Sequence, residues 1–169
     1  MKTLVIHPED QTTDFLKVIY QDKDWTVIND NISKSKLKES IREHDRIVML
    51  GHGTDGGLIG YNEKALIDSS WVWLLREKKV VCIWCNADVF VEKYELKGLY
   101  TGMIVSDFIE GNMFCINSSS QEIEDSNILF AEAVRKGIDE EDSDRVIKKI
   151  YEGNTHVIEF NRANIYKSI

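Results

Sequence analysis

"RIVMLGHGTDGGLIG", residues 46–60, decides how the rest of the chain is read. Four consecutive apolar residues, Ile47 to Leu50, break at Gly51-His52-Gly53, and a second glycine pair follows at Gly56-Gly57. An apolar run that does not alternate with polar residues is a strand covered on both faces. Such strands belong to parallel sheets held between helices, and their carboxyl ends are where ligands and chemistry collect. Beyond the glycines, "LIG" and "ALI" on either side of Tyr61-Asn62 have the pattern of a small hairpin.

Working outward, short apolar runs alternate with helical patterns. "TLVI" (3–6) reads as a first strand, followed by a helix carrying Phe15, Leu16, Val18 and Ile19, with Thr12 or Thr13 as its cap. "WTVI" (25–28) is a second strand, and "SKSKLKESIREH" (33–44) is a thin amphipathic helix with Leu37 and Ile41 four apart. The segment 68–79 reads as a helix that starts at Asp68 and ends in basic residues, matching the helix dipole. "VVCIW" (80–84) and "YTGMIVSD" (100–107) are a fourth and a fifth strand. Residues 126–138 and 142–153 read as helices, and "HVIEF" near the end as an edge strand or a packing arm. The expected architecture is a three-layer α/β fold: one open, mainly parallel sheet with helices on both faces, forming a single domain over 1–169.

Composition narrows the function. The formal charge is −8, from 29 acidic and 21 basic side chains, so binding to a phosphate backbone by counterion release is not expected. No stretch approaches the length of a membrane span, and the first residues do not form a signal-peptide core. Three cysteines, an odd number without an export signal, read as reduced thiols in a cytoplasm. Cys82 and Cys85 are spaced as a CxxC, but no second pair accompanies them, so no metal site and no cofactor are expected. The oligomeric state is not legible.

Three expected strands end in groups that carry chemistry: Gly51-His52 after the third, Cys85-Asn86 after the fourth, and Ser106-Asp107 after the fifth. A cysteine attacks a carbonyl as its thiolate and needs a base or a cation nearby. If the third and fourth strands are neighbours, about 5 Å apart, His52 and Cys85 can serve one substrate carbonyl. The side-chain-free Gly53 lets its N–H approach a developing oxyanion, and the Cys85 N–H offers a second donor. With a negative φ at Gly53, alanine there is expected to lower turnover while leaving stability nearly unchanged. Asn86, Asp88 and Asp107 are candidate substrate-binding groups, the two carboxylates favouring arginyl or lysyl side chains.

These residues resemble a family. An apolar strand ending in His-Gly, followed by an apolar strand ending in Cys, is similar to the caspase-like cysteine peptidases: caspases, metacaspases, clostripain, gingipain, separase and CHAT domains. "IVMLGHG" is similar to their histidine block and "VVCIWCNAD" to their nucleophile block, and the resemblance extends over roughly residues 46–138. It implies a caspase-like α/β domain, His52 and Cys85 as catalytic dyad, and a peptide or protein substrate. The interval from His52 to Cys85 is shorter than in most of that family, and Asn86-Ala87 stand where small residues or glycine often follow the nucleophile.

Other readings of the same residues stand beside this one. His52 is also readable as a turn cap, Cys85 as a small core residue, and Asp107 as a cap of the following turn. His7 ends the first strand as a turn residue or as a group at the same sheet edge. The loop "GHGTDGG" offers free N–H groups for an anion, which defines the alternative class: a non-catalytic module that binds a nucleotide, another small anion or a protein partner.

Overall fold

The computed structural model describes residues 1–169. In chain order it contains β1 (Thr3–Ile6), a 3-10 helix (Gln11–Ile19), β2 (Thr26–Ile28), α1 (Lys34–Glu43), β3 (Arg46–Leu50), β4 (Gly53–Thr54), β5 (Gly57–Ile59) and β6 (Ala65–Ile67). There follow α2 (Val72–Leu75), β7 (Lys79–Ile83), α3 (Ala87–Lys93), β8 (Lys97–Thr101), α4 (Phe108–Met113), α5 (Ser120–Gly137), α6 (Ser143–Ile150), α7 (His156–Ala163) and β9 (Ile165–Lys167).

Six strands form the main sheet in the order β2-β1-β3-β7-β8-β9. The first five run parallel, and β9 closes the far side antiparallel to β8. Side chains along each central strand alternate between two cores, as the pleat requires. Val5, Val48, Leu50, Val81 and Ile83 face a layer built from the 3-10 helix, α5, α6 and α7. Leu4, Ile6, Ile47, Met49, Val80 and Cys82 face α1, α2 and α3. The three-layer α/β architecture is therefore that expected from the unbroken apolar runs. β4, β5 and β6 form a separate three-stranded antiparallel sheet, which includes the hairpin around Tyr61-Asn62.

Several elements differ from the sequence reading. The fifth strand of the sheet spans Lys97–Thr101, not 100–107. Its start is disguised by Gly98, where φ is +148° and a β-carbon would stand 1.8 Å from the Val80 carbonyl oxygen. Its apolar continuation leaves the sheet at Gly102, whose N–H donates to the Asn164 carbonyl. Val105 is still fully buried, because Asn161 supplies what a neighbouring strand would. The Asn161 Oδ1 accepts the Val105 N–H at 2.8 Å, and its Nδ2 donates to the Val105 carbonyl at 2.9 Å.

The first helix is 3-10 and is capped by Asp10, rather than by Thr12 or Thr13. The segment expected as one helix over 68–79 contains a 3-10 turn at Ser69–Trp71 and the short α2, then straightens into β7. "HVIEF" is helix α7, capped by Thr155, with Val157, Ile158 and Asn161 on its buried side. The edge strand lies just beyond it. α5 starts earlier than expected, at Ser120, behind a capping box between Ser119 and Glu122.

Candidate functional site

The register of β3 and β7 sets the site. Leu50 lies opposite Ile83, and the Gly51 N–H extends the ladder by donating to the Ile83 carbonyl at 3.1 Å. His52 and Cys85 therefore follow their strands by the same two residues, at the same carboxyl edge. Both line one small cleft of about 30 Å³, together with Gly51, Trp84, Ile104 and Ser106. His52 also lines a larger neighbouring cleft of about 650 Å³, whose wall includes Glu9, Asp10, Tyr61 and Glu63.

Cys85 is half-buried, and its Sγ lies 3.4 Å from the Ile104 carbonyl oxygen, to which the thiol donates. Burial pushes the thiol pKa up to about 11, and the negative charges of Glu110 and Asp107 add to the shift. The resting state is the thiol. Asn86 directly after it has φ 65° and ψ 30°, a left-handed conformation that turns the chain sharply from β7 into α3. Through this turn Asn86 donates its N–H to the Gly102 carbonyl and Ala87 to the Trp84 carbonyl, while the Cys85 N–H makes no hydrogen bond within the chain. The Asn86 side chain is exposed and caps nothing.

β1 lies beside β3, with Ile6 opposite Met49, so the loop after β1 arrives at this same edge. Asp10 in that loop and Thr12 in the first turn of the 3-10 helix hold the histidine. His52 Nε2 is 2.6 Å from Thr12 Oγ1 and 3.9 Å from Asp10 Oδ2. Asp10 in turn accepts from the Thr12 hydroxyl at 2.6 Å and from the Thr12 N–H at 2.8 Å. These bonds hold the Asp10 carboxyl below its ordinary range.

Gly53 opens β4 opposite Leu58. The flanking Ile59 N–H donates to the His52 carbonyl at 2.9 Å, so Gly53 and Leu58 form a non-hydrogen-bonded pair and the Gly53 N–H points away from β5. Its φ is not in the left-handed range.

The candidate carboxylates divide. Asp107 is the cap of α4: its Oδ1 accepts the Glu110 N–H at 2.8 Å, and Glu110 reaches back to the Ser106 N–H and hydroxyl. It is exposed but close enough to Cys85 to act on it electrostatically. Asp88 sits in the first turn of α3, near Gly102 and Tyr100, and, like Asp107 and Asn86, is not part of either cleft wall. Its Oδ1 is buried without a partner.

His7 stands within the fold next to the site rather than in it. It is 1% exposed, with Nδ1 2.9 Å from the Tyr20 hydroxyl and Nε2 3.1 Å from Thr13 Oγ1. Burial lowers its pKa to about 4, so the ring is neutral. Sequence reasoning missed Asp10 and Thr12 as site residues. The strand order was the missing signal, since only the pairing of β1 with β3 brings "HPEDQTT" (7–13) against His52. Cys82 is buried and Cys115 exposed; all three thiols are free. No family model, curated protein or solved structure matches the chain.

Proposed function

We propose that the chain is a cysteine-dependent hydrolase of peptide or amide bonds, with Cys85 as nucleophile and His52 as its base. One observation carries the reading: His52 and Cys85 occupy one cleft at register-matched ends of adjacent parallel strands, beside an unpartnered Cys85 N–H. In the reaction, His52 takes the thiol proton as Sγ bonds to the scissile carbonyl carbon. The oxyanion is stabilised by the N–H groups of Cys85 and Gly53. The C–N bond then breaks as the proton passes from His52 to the leaving amine, and water releases the acyl group from sulfur. This is the chemistry of the caspase-like family that the sequence resembles.

The thiol pKa of about 11 requires deprotonation to accompany substrate docking, since thiolate is scarce in the free protein. The negative potential of Asp107 and Glu110 at Cys85 supports a preference for arginyl or lysyl over aspartyl substrates. Asp88 has no part in this preference.

The competing module for a nucleotide or small anion is disfavoured by the carboxylates of Glu9, Asp10 and Glu63 around the larger cleft. A peptidyl acyloxymethyl ketone with a basic residue next to the warhead tests the reading. Labelling at Cys85 that disappears in His52→Ala supports it. A folded wild type that neither reacts with such probes nor cleaves basic or acidic peptide amides overturns it.

A further inference from the structure

The hydrogen bonds around His52 fix which of its ring nitrogens carries a proton. We propose that Asp10 and Thr12 are positioning residues that hold His52 as the Nε2–H tautomer and so make Nδ1 the proton acceptor. The inference rests on the hydrolase reading above for its function, but its geometry stands alone.

Asp10 Oδ1 receives both the N–H and the hydroxyl of Thr12, at 2.8 and 2.6 Å. An ionised carboxylate has only lone pairs, and a threonine hydroxyl has one proton. That proton is committed to Asp10. The 2.6 Å contact between Thr12 Oγ1 and His52 Nε2 must then use a proton from the ring. The opposite assignment would leave Thr12 Oγ1 and Asp10 Oδ1 facing each other at 2.6 Å with no proton between them. His52 Nδ1 has no hydrogen-bond partner in the protein, and in the neutral ring with its proton on Nε2 the free lone pair is on Nδ1.

The positioning groups are themselves held. Asp10 is the N-cap of the 3-10 helix Gln11–Ile19, so the bond from the Thr12 N–H fixes its carboxylate to the start of that helix. Thr12 lies in the helix's first turn. The orientation of His52 is thus set by backbone geometry carried across from β1, the strand next to its own. When His52 takes the thiol proton, Asp10 Oδ2 at 3.9 Å faces the new imidazolium charge. Both side chains are part-exposed, so orientation outweighs charge in this effect.

Long-range ¹H–¹⁵N correlation spectra of ¹⁵N-histidine protein read the tautomer directly, and peptide-amide kinetics read its consequence. The wild type is expected to show His52 as Nε2–H. Thr12→Val, which puts a methyl group in place of the hydroxyl, is expected to give a tautomer mixture and to lower kcat about tenfold or more with little change in KM. Thr12→Ser restores both. An Nδ1–H ring in the wild type overturns the proposal, as does a Thr12→Val protein with unchanged tautomer and kcat. A wild type without Cys85-dependent turnover removes the hydrolase reading instead, and the spectra alone then decide whether Thr12 fixes the ring.

Discussion

The indole of Trp84 fills the space in which any side chain at Gly53 would stand: a β-carbon there lies 2.1 Å from Cδ1 and 2.5 Å from Cγ. Trp84 cannot yield easily, because it is 2% exposed and its Nε1 donates to the Thr54 carbonyl at 3.0 Å. The glycine is thus required by packing, whatever its N–H does for an oxyanion. The expectation that alanine would leave stability unchanged fails on this contact, even though φ at Gly53 is not in the left-handed range. Gly53→Ala should destabilise the fold by roughly 1–3 kcal/mol, the usual range for overpacking. Urea denaturation measures this. Activity lost in that variant reports the displaced tryptophan as well as the amide, so it does not isolate oxyanion stabilisation.

His7 makes stability depend on pH. Its folded pKa of about 4 lies below the ordinary 6.5, so between these values the unfolded chain binds the extra proton. Stability therefore rises with pH through this window and falls on acidification from 6.5 towards 4. The full effect is about 3 kcal/mol. Denaturation curves from pH 4 to 7 should show a shallower slope for His7→Gln than for the wild type. Equal slopes would mean that the imidazole is not held neutral.

Cys85 should be a slow nucleophile in the free protein. With a pKa of about 11, the thiolate fraction near pH 7.5 is on the order of one in 10³–10⁴. Iodoacetamide followed by peptide mass spectrometry should therefore modify exposed Cys115 first at neutral pH, and Cys85 progressively as pH rises towards 10. Rapid modification of Cys85 at neutral pH would show the thiol to be activated without substrate. Slow alkylation alone does not argue against hydrolysis, because the substrate-like ketone is the discriminating probe.

Asn161 replaces a strand, and its loss should be felt as such. Asn161→Ala leaves the N–H and carbonyl of the fully buried Val105 without partners. Unsatisfied buried groups cost about 1–3 kcal/mol each. A loss of roughly 2–4 kcal/mol in chemical denaturation is expected, within the bounds set by those two groups. The segment 103–106 carries two residues of the Cys85 cleft, Ile104 and Ser106, so probe labelling at Cys85 should weaken in parallel.

The central strands were legible because burial on both faces writes itself as an unbroken apolar run. β1 and β3 stand where those runs put them, and the run behind β7 is displaced by only one residue at either end. The same rule misread residues 103–105, where Ile104 and Val105 are buried without being strand. Nothing local to that run reveals an asparagine 56 residues away that satisfies its backbone. That His52 and Cys85 share a cleft could be anticipated because each follows its own apolar run by a short step. Asp10 and Thr12 could not, since their approach depends on β1 lying beside β3, an order that no local pattern states. Asp107 reads from the sequence both as a carboxylate for substrate and as a cap; "SDFIE" is a capping-box pattern, and the helix it caps is what formed.

The antiparallel closure by β9 also bears on how the chain is made. Leu99, Tyr100 and Thr101 of β8 find their outer partners only in Lys167, Tyr166 and Ile165. Four helices, α4 to α7, lie between those partners in the chain. During synthesis the growing sheet therefore presents a bare flank at β8 until all four have been translated. A bare flank invites a strand from another nascent chain. Slowing translation between Thr101 and Ile165 would lengthen that interval and favour aggregation without altering a single contact of the finished protein.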